Sequence, residues 1–208
     1  MSRPDASAPD DPVTAIVLAA GGGSRFHDKG HKLTAPLPAT GSRPAETVAG
    51  RSIAAAVSAE LGTVVVVTGR LSGADLGLDA RHVEAVHNPE WQAGQMSSVR
   101  VGLAVAESRG SRIAVIGLAD QPGIEPGAWR AVVGAVSTAT PIAVAVYDGR
   151  RANPVALHRS VWHRLPNQGD EGARSLMRLH PELVREVPCS GSPTDIDTAE
   201  DLRRWQSN

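Results

Sequence analysis

The chain has 208 residues, with 21 Lys and Arg against 22 Asp and Glu, a formal net charge of −1. That balance gives no electrostatic basis for gripping a nucleic-acid polymer or an anionic membrane surface. Its apolar runs fall far short of the roughly 20 residues that span a bilayer, and its single cysteine, Cys189, excludes an intrachain disulfide.

The length suits one α/β domain with a sizeable core. Aromatic residues make up only 3%, so that core must be aliphatic. Trp91, Trp129, Trp162 and Trp205 are dispersed along the chain. They read as packing anchors rather than as a stacking platform for bases. The opening MSRPDASAPDDP is polar, rich in Pro and Asp, and lacks a secretory signal. Residues 1–12 are therefore expected to be a disordered leader and 13–208 the folded domain, in a reducing cytoplasm.

Val13 to Leu18 is apolar on both faces, the pattern of a buried parallel strand. Gly21, Gly22 and Gly23 follow at once, then Ser24, Arg25, Lys29 and Lys32. Glycines let backbone N–H groups approach an anion, and Arg or Lys supply compensating charge. Two common phosphate fingerprints, the Walker loop and G-x-G-x-x-G with a following acidic residue, are not met. Residues 34–45 read as a loop. Glu46 to Leu61 has helical apolar spacing and is ended by Gly62. Thr63 to Thr68 is a second buried strand, residues 69–80 a loop, and His82 to Val86 a short strand broken by Asn88 and Pro89.

Gln95 to Ser108 is a helix, with Met96, Val99, Leu103 and Ala106 on one face. Ile113 to Leu118 is a third strand, leading into Ala119-Asp120-Gln121-Pro122. A helix over Pro126 to Val136 and a strand over Ile142 to Tyr147 come next. Beyond them lie a short strand from Asn153 to Leu157, helices over 160–165 and 171–180, and a strand over 183–187. A last helix over 198–205 has Thr198 as its N-cap. This alternation predicts a single Rossmann-like α/β domain, a doubly wound, mostly parallel sheet with helices on both faces.

In such a sheet, ligands bind at the carboxyl ends of the strands. Asp120 sits at one of those ends, where it either holds Mg²⁺ beside a triphosphate or serves as a turn aspartate. Gly94 to Ser98 opens a helix whose N-terminus either faces an anion or is an ordinary start capped by Ser97 or Ser98. Arg151 and Arg174 suit bidentate pairing with a substrate anion, or a surface ion pair. Asp195 and Asp197 fall on one side of an extended segment, for a metal contact or for capping the last helix. The seven histidines show no H-E-x-x-H spacing. His27 and His31 lie in the glycine loop, to touch phosphate or to belong to an insertion there, which leaves Lys29 and Lys32 competing as the phosphate contact.

Five segments in order resemble one family. Leu18-Ala19-Ala20-Gly21 with Arg25, Phe26 and Lys32 is similar to L-A-[AG]-G-x-x-x-R-[MF] followed by a Lys. Lys32-Leu33 with Pro36-Leu37 favours Lys32. Asn88 to Leu103 is similar to N-P-x-W-x-x-G-M-x-S-S-[LV]-x-x-G-[LV], with Gln95 as an extra residue. Arg151-Ala152-Asn153-Pro154 resembles R-G-N-P, with Ala152 for glycine, and Gly169 to Arg174 resembles G-D-x-G-A-R. Asp195 to Leu202 resembles D-I-D-T-P-E-D-L, with Ala199 for proline.

On these motifs the chain resembles the MobA-like nucleotidyltransferases, closest to the branch that includes molybdenum cofactor cytidylyltransferase. The resemblance implies transfer of CMP from CTP to molybdopterin with release of pyrophosphate. Leu-Ala-Ala-Gly is typical of cytidylyl transfer and Leu-Ala-Gly-Gly of guanylyl transfer. It implies Arg25, Lys32 and Asp120 as catalytic residues, and Mg²⁺ held by Asp120 and Asp197. Nucleotide binding falls to Leu18 through Arg25, Lys32, Ser97 and Ser98, with Ala19, Ala20, Gly21, Gly22, Gly23 and Ser24 inside that stretch. Acceptor binding falls to Arg151, Asn153, Asp170 and Arg174. A molybdoenzyme or its chaperone is the implied protein partner. The alternatives are guanylyl or other nucleotidyl transfer to a different phosphorylated acceptor, and a non-catalytic nucleotide-binding maturation factor. An NAD-dependent oxidoreductase ranks lower, because the strand Val64 to Val67 leads into Thr68-Gly69-Arg70 and not to an acidic ribose contact.

Overall fold

The structure, a computed structural model, describes residues 11–23, 26, 30–39 and 46–207. Residues 1–10 of the expected leader lie outside the described residues, as do Ser24, Arg25, His27 and Lys29. Pro12 already joins the fold, its carbonyl accepting from the backbone N–H of Arg112 at 2.8 Å.

The strands are β1 (Val13–Ala19), β2 (Pro36–Leu37), β3 (Glu46–Thr47), β4 (Thr63–Thr68), β5 (Glu84–His87), β6 (Ile113–Leu118), β7 (Ile142–Tyr147), β8 (Arg150–His158) and β9 (Val184–Pro188). The helices are α1 (Val48–Val57), α2 (Gln95–Ser108), α3 (Pro126–Ala135), α4 (Arg174–Leu179) and α5 (Ala199–Gln206). Seven strands form the main sheet in the order β5-β4-β1-β6-β8-β7-β9, and β2 and β3 pair separately.

The main sheet is mostly parallel, as expected. The exception is β8, which runs antiparallel to both β6 and β7. Its pairing places Ile116 of β6 opposite Val155. The N-terminal end of β8, with Arg151 and Asn153, therefore lies at the same edge as the carboxyl ends of its parallel neighbours. The order also reverses beside β1. The chain first builds outward through β4 and β5, then returns to place β6 on β1's other side. The carboxyl ends of β1 and β6 thus flank a topological switch point, the usual ligand crevice of an open α/β sheet.

Strand alternation sends successive residues of β1 to opposite faces. Ala15, Val17 and Ala19 pack with Ala49, Ile53 and Ala56 of α1 and with Ala128, Trp129 and Val132 of α3. Ile16 and Leu18 pack on the other face with Met96, Val99 and Leu103 of α2 and Leu176 and Met177 of α4. A smaller third cluster joins Phe26, Leu37, Val48 and Ile196, with Leu202 and Trp205 of α5 against it. Arg51 of α1 stacks over the Trp205 ring at 5.2 Å, adding a cation–π contact to that docking.

Small residues set the helix-to-sheet distance. A Cβ on Gly117 in β6 would lie 2.5 Å from two ring carbons of Trp129, a buried core side chain. Substituting Gly117→Ala should overpack this contact and cost about 1–3 kcal/mol, read as a lower midpoint in urea with an unchanged slope.

Candidate active site

The glycine loop leaves β1 after Ala19, and Leu18 and Ala19 are themselves buried in the sheet. The carbonyl of Leu18 accepts from the N–H of Ala119 at 3.0 Å, which ties the ends of β1 and β6 together. Two side chains grip the loop. His31 Nε2 meets the Gly21 carbonyl at 3.0 Å, and Arg70 donates to the Gly22 carbonyl at 3.2 Å. Gly23 has φ +61°, and a Cβ there would sit 2.7 Å from the His31 ring, so the close approach requires glycine. The Trp91 ring lies 3.2 Å from the corresponding Cβ position of Gly22. Trp91 anchors packing as expected, and what it packs on is this loop.

His31 does two jobs. Its Nδ1 accepts from the backbone N–H of Leu33 at 3.2 Å and so caps the 3-10 turn Lys32–Thr34. An accepting Nδ1 requires the neutral tautomer with its proton on Nε2, which donates to Gly21. One imidazole thereby connects the glycine loop to the turn that carries Lys32.

Lys32 points its ammonium between two carboxylates. Nζ donates to Oδ2 of Asp120 and to Oδ1 of Asp197, each at 2.6 Å. Burial alone would lower the Lys32 pKa. The charge and hydrogen bonds of Asp120, with those of Asp197, outweigh it and raise the pKa. Lys32 is therefore a fixed cation at neutral pH.

Each carboxylate is held by its own backbone. Asp120 lies two residues past the end of β6. Asp195 and Asp197 flank Ile196, which is fully buried and whose N–H donates to the Asp120 carbonyl at 2.9 Å. Thr198 then starts α5 with a capping box, its hydroxyl accepting from Asp201 N and the Asp201 carboxylate accepting from Thr198 N. The same Asp201 oxygen lies 3.3 Å from the backbone N of Asp197. The capping expected of this segment and its approach to Asp120 thus coexist.

Oδ1 of Asp120 is buried and has no hydrogen-bond partner among the described residues. A carboxylate oxygen with unspent lone pairs beside a second carboxylate is the hard-oxygen set that a divalent cation takes. Among the described residues no three His, Cys, Asp or Glu side chains form a metal cluster. Asp120 and Asp197 therefore fit a cation of the kind that completes its shell with substrate oxygens and water.

Gln121 links this centre to a cavity of about 270 Å³. Its Nε2 donates to the Pro193 carbonyl and to Asp195, and its Oε1 accepts from Asn153 Nδ2. Burial, then the charge of Asp120, raises the Asp195 pKa against the lowering effect of the Gln121 hydrogen bond. The cavity is lined by Val99, Ile116, Val155 and Met177, with Arg151, Asn153 and Arg174 supplying polar groups. Arg151 is also paired with Glu186 at 2.7 Å.

The reading of Ser97 or Ser98 as the cap of α2 does not hold. Gly94, with φ +103°, is the N-cap of α2, so Ser97 and Ser98 lie inside the first turn and are not caps. Both hydroxyls receive a hydrogen bond from the buried Asn88, at 2.8 and 3.0 Å. The anion at this helix N-terminus is Asp170, whose Oδ1 accepts from Gln95 N while the Gly169 carbonyl accepts from Met96 N. The expectations for Ser24, Arg25 and Lys29 fall outside the described residues. His31, read as a residue to touch phosphate or to belong to an insertion, holds the Gly21 carbonyl, while Arg70 and Gln121 had no role assigned because their partners lie far away in sequence.

The chain matches the model of the MobA-like NTP transferase domain over residues 15–186. It is 30% identical to nicotine blue oxidoreductase of Paenarthrobacter nicotinovorans, over 92% of this chain and 95% of the relative. It is also 30% identical to the purine catabolism protein PucB of Bacillus subtilis strain 168, over 91% and 93% of the two chains. Among solved structures, Rv0371c of Mycobacterium tuberculosis H37Rv superposes with a TM-score of 0.75 at 28% identity, over 95% of this chain and 99% of that one. Rv0371c has also been solved in complex with manganese, at TM-score 0.72 and 27% identity over the same shares.

Two outcomes test this geometry. Folding lowers the His31 pKa, chiefly by burial, so its contribution is complete above about pH 6.5 and is lost as pH falls below that. The melting-temperature gap between wild type and His31→Gln should therefore narrow between about pH 7 and pH 5. Lys32→Met should cost about 1–3 kcal/mol at neutral pH, and millimolar Mg²⁺ should raise the melting temperature of this variant more than that of the wild type.

Proposed function

The chain belongs to the MobA-like NTP transferase domain family, within the nucleotidyltransferase superfamily, and on that premise we propose that it transfers CMP from CTP to molybdopterin and releases pyrophosphate. The observation that carries this reading is the Lys32–Asp120–Asp197 cluster between the glycine loop and the cavity. Leu18-Ala19-Ala20-Gly21, typical of cytidylyl transfer within the family, supports CTP. A phosphate oxygen of the acceptor attacks the α-phosphorus in line. The new P–O bond forms as the bond to the bridging oxygen breaks, and pyrophosphate leaves with that electron pair. No oxidant, reductant or covalent enzyme intermediate is needed.

The residues divide the work. The loop from Gly21 to Gly23 offers backbone N–H groups to the triphosphate, with Arg25 as its added cation. Lys32 brings a permanent positive charge to the phosphate oxygens. Asp120 and Asp197 would hold Mg²⁺, which supplies charge neutralisation at the reacting phosphates when bound. The manganese complex of Rv0371c supports a divalent cation here. Arg151 and Arg174 receive the acceptor's anion, and Asn153 orients it.

A second reading, an NAD-dependent oxidoreductase, draws on the relative named nicotine blue oxidoreductase. The absence of an acidic residue after β4 weighs against it, and the charged cluster gives it no role.

Melting temperature with CTP, GTP, ATP, UTP or NADH, each with and without Mg²⁺, separates these readings. CTP at 100 times its dissociation constant should stabilise by about 2.7 kcal/mol, and only with Mg²⁺. Asp120→Ala should abolish the Mg²⁺ dependence and lower pyrophosphate release by at least about a hundredfold. A shift with NADH alone, or near-normal turnover in Asp120→Ala, would refute the transfer reading.

A further inference from the structure

Gln121 follows the candidate metal ligand Asp120 and is 4% exposed. Its amide is committed at both ends. Nε2 donates to the Pro193 carbonyl at 3.0 Å and to Asp195 Oδ1 at 2.8 Å, while Oε1 accepts from Asn153 Nδ2 at 3.1 Å. The polarity of this chain is forced. A backbone carbonyl only accepts, so the end of Gln121 facing Pro193 must be its NH₂. The opposite end is then a carbonyl oxygen, and Asn153 must answer with its own NH₂. The amide of Asn153, which lines the cavity, is thereby fixed against flipping: its carbonyl oxygen and one remaining N–H each keep a set direction. Without Gln121, an asparagine amide could offer either end.

The rest of the cavity narrows the choice. Val99, Ile116, Val155 and Met177 give it aliphatic walls, and Arg151, Arg174 and Arg178, against the one carboxylate of Glu171, give it an excess of cationic groups. Where the walls are aliphatic they leave the hydroxyls of a sugar ring unsatisfied. They suit the face of a heterocycle.

We propose that Gln121 is a specificity-determining positioning residue: it turns the Asn153 carbonyl into the cavity, which takes an anionic heterocycle presenting a ring N–H to that oxygen. This rests on reading the cavity as the acceptor pocket. Gln121 touches no reacting atom. It acts through Asn153.

The test is calorimetric binding to the full chain of two probes, pterin-6-carboxylate and its N3-methyl derivative, which lacks the ring N–H. Wild type should prefer the N–H form by at least about tenfold, because methylation leaves a carbonyl unpaired and blocked. In Gln121→Leu the preference should shrink to within about threefold, as Asn153 regains both orientations. Asn153→Ala, which leaves Gln121 in place, should show the same loss and guards against a folding defect in the first variant. Equal binding of the two probes by wild type, or a full preference retained in both variants, would overturn the proposal. So would failure of both probes to bind while CTP with Mg²⁺ still raises the melting temperature, and that outcome leaves the nucleotide reading standing. Loss of the CTP response alone would overturn the transfer reading, and the measured N–H preference would still decide this one.

Discussion

One ammonium held between two carboxylates is the constraint on which this molecule turns. Lys32 meets partners 88 and 165 residues away in sequence. Neither side could stand alone. Burial of the lysine without anions would lower its pKa, and two close carboxylates without a cation would repel each other. Among the described residues Asp120 and Asp197 hold this single ammonium, and the carboxylate of Asp195 lies close enough to feel their charge. The excess of negative charge adds to burial, the larger cause, in making Asp195 resist ionisation. It also gives the centre its appetite for additional positive charge.

Around that centre the backbone is fixed before any ligand arrives. In a trans peptide the C=O and the next N–H point in opposite directions. By holding the carbonyls of Gly21 and Gly22, His31 and Arg70 turn the N–H groups of Gly22 and Gly23 the other way. A glycine loop left to itself would spend binding energy on being ordered. Here side chains from two other segments do the ordering. The Gln121 amide applies the same logic to a side chain, so that donor and acceptor directions are set by neighbours that cannot change theirs.

Much of the scaffold was legible from local pattern. β4 and β7, buried on both faces, and α2, with its single apolar stripe, begin and end where their sequences say. α1 starts at Val48 and not Glu46, because Glu46 and Thr47 pair with Leu37 and Pro36 and Thr47 caps the helix. α4 starts at Arg174 and not Glu171, because residues 169 and 170 are drawn onto the N-terminus of α2. The reversal of β8 is tertiary, since nothing in Arg150-Arg151-Ala152-Asn153 states a direction. At the site, Asp120 and Asp197 could be singled out by motif and position. The placement of Lys32 between them, and the roles of His31, Arg70 and Gln121, depend on which segments the sheet brings together, which no local window contains.

The buried Ile196 has a consequence for how the protein is made. The candidate centre gains Asp197 only when Ile196 docks under Asp120 and against Phe26, Leu37 and Val48. A nascent chain emerges from its N-terminus, so Lys32 and Asp120 leave the ribosome long before their third member. The sheet from β1 through β8 can begin to assemble in that interval with the charged centre still open. Completion of the centre is therefore a late event in biosynthesis, keyed to the arrival of residues 195–206, and a chain stalled before them would carry the fold without the finished machinery.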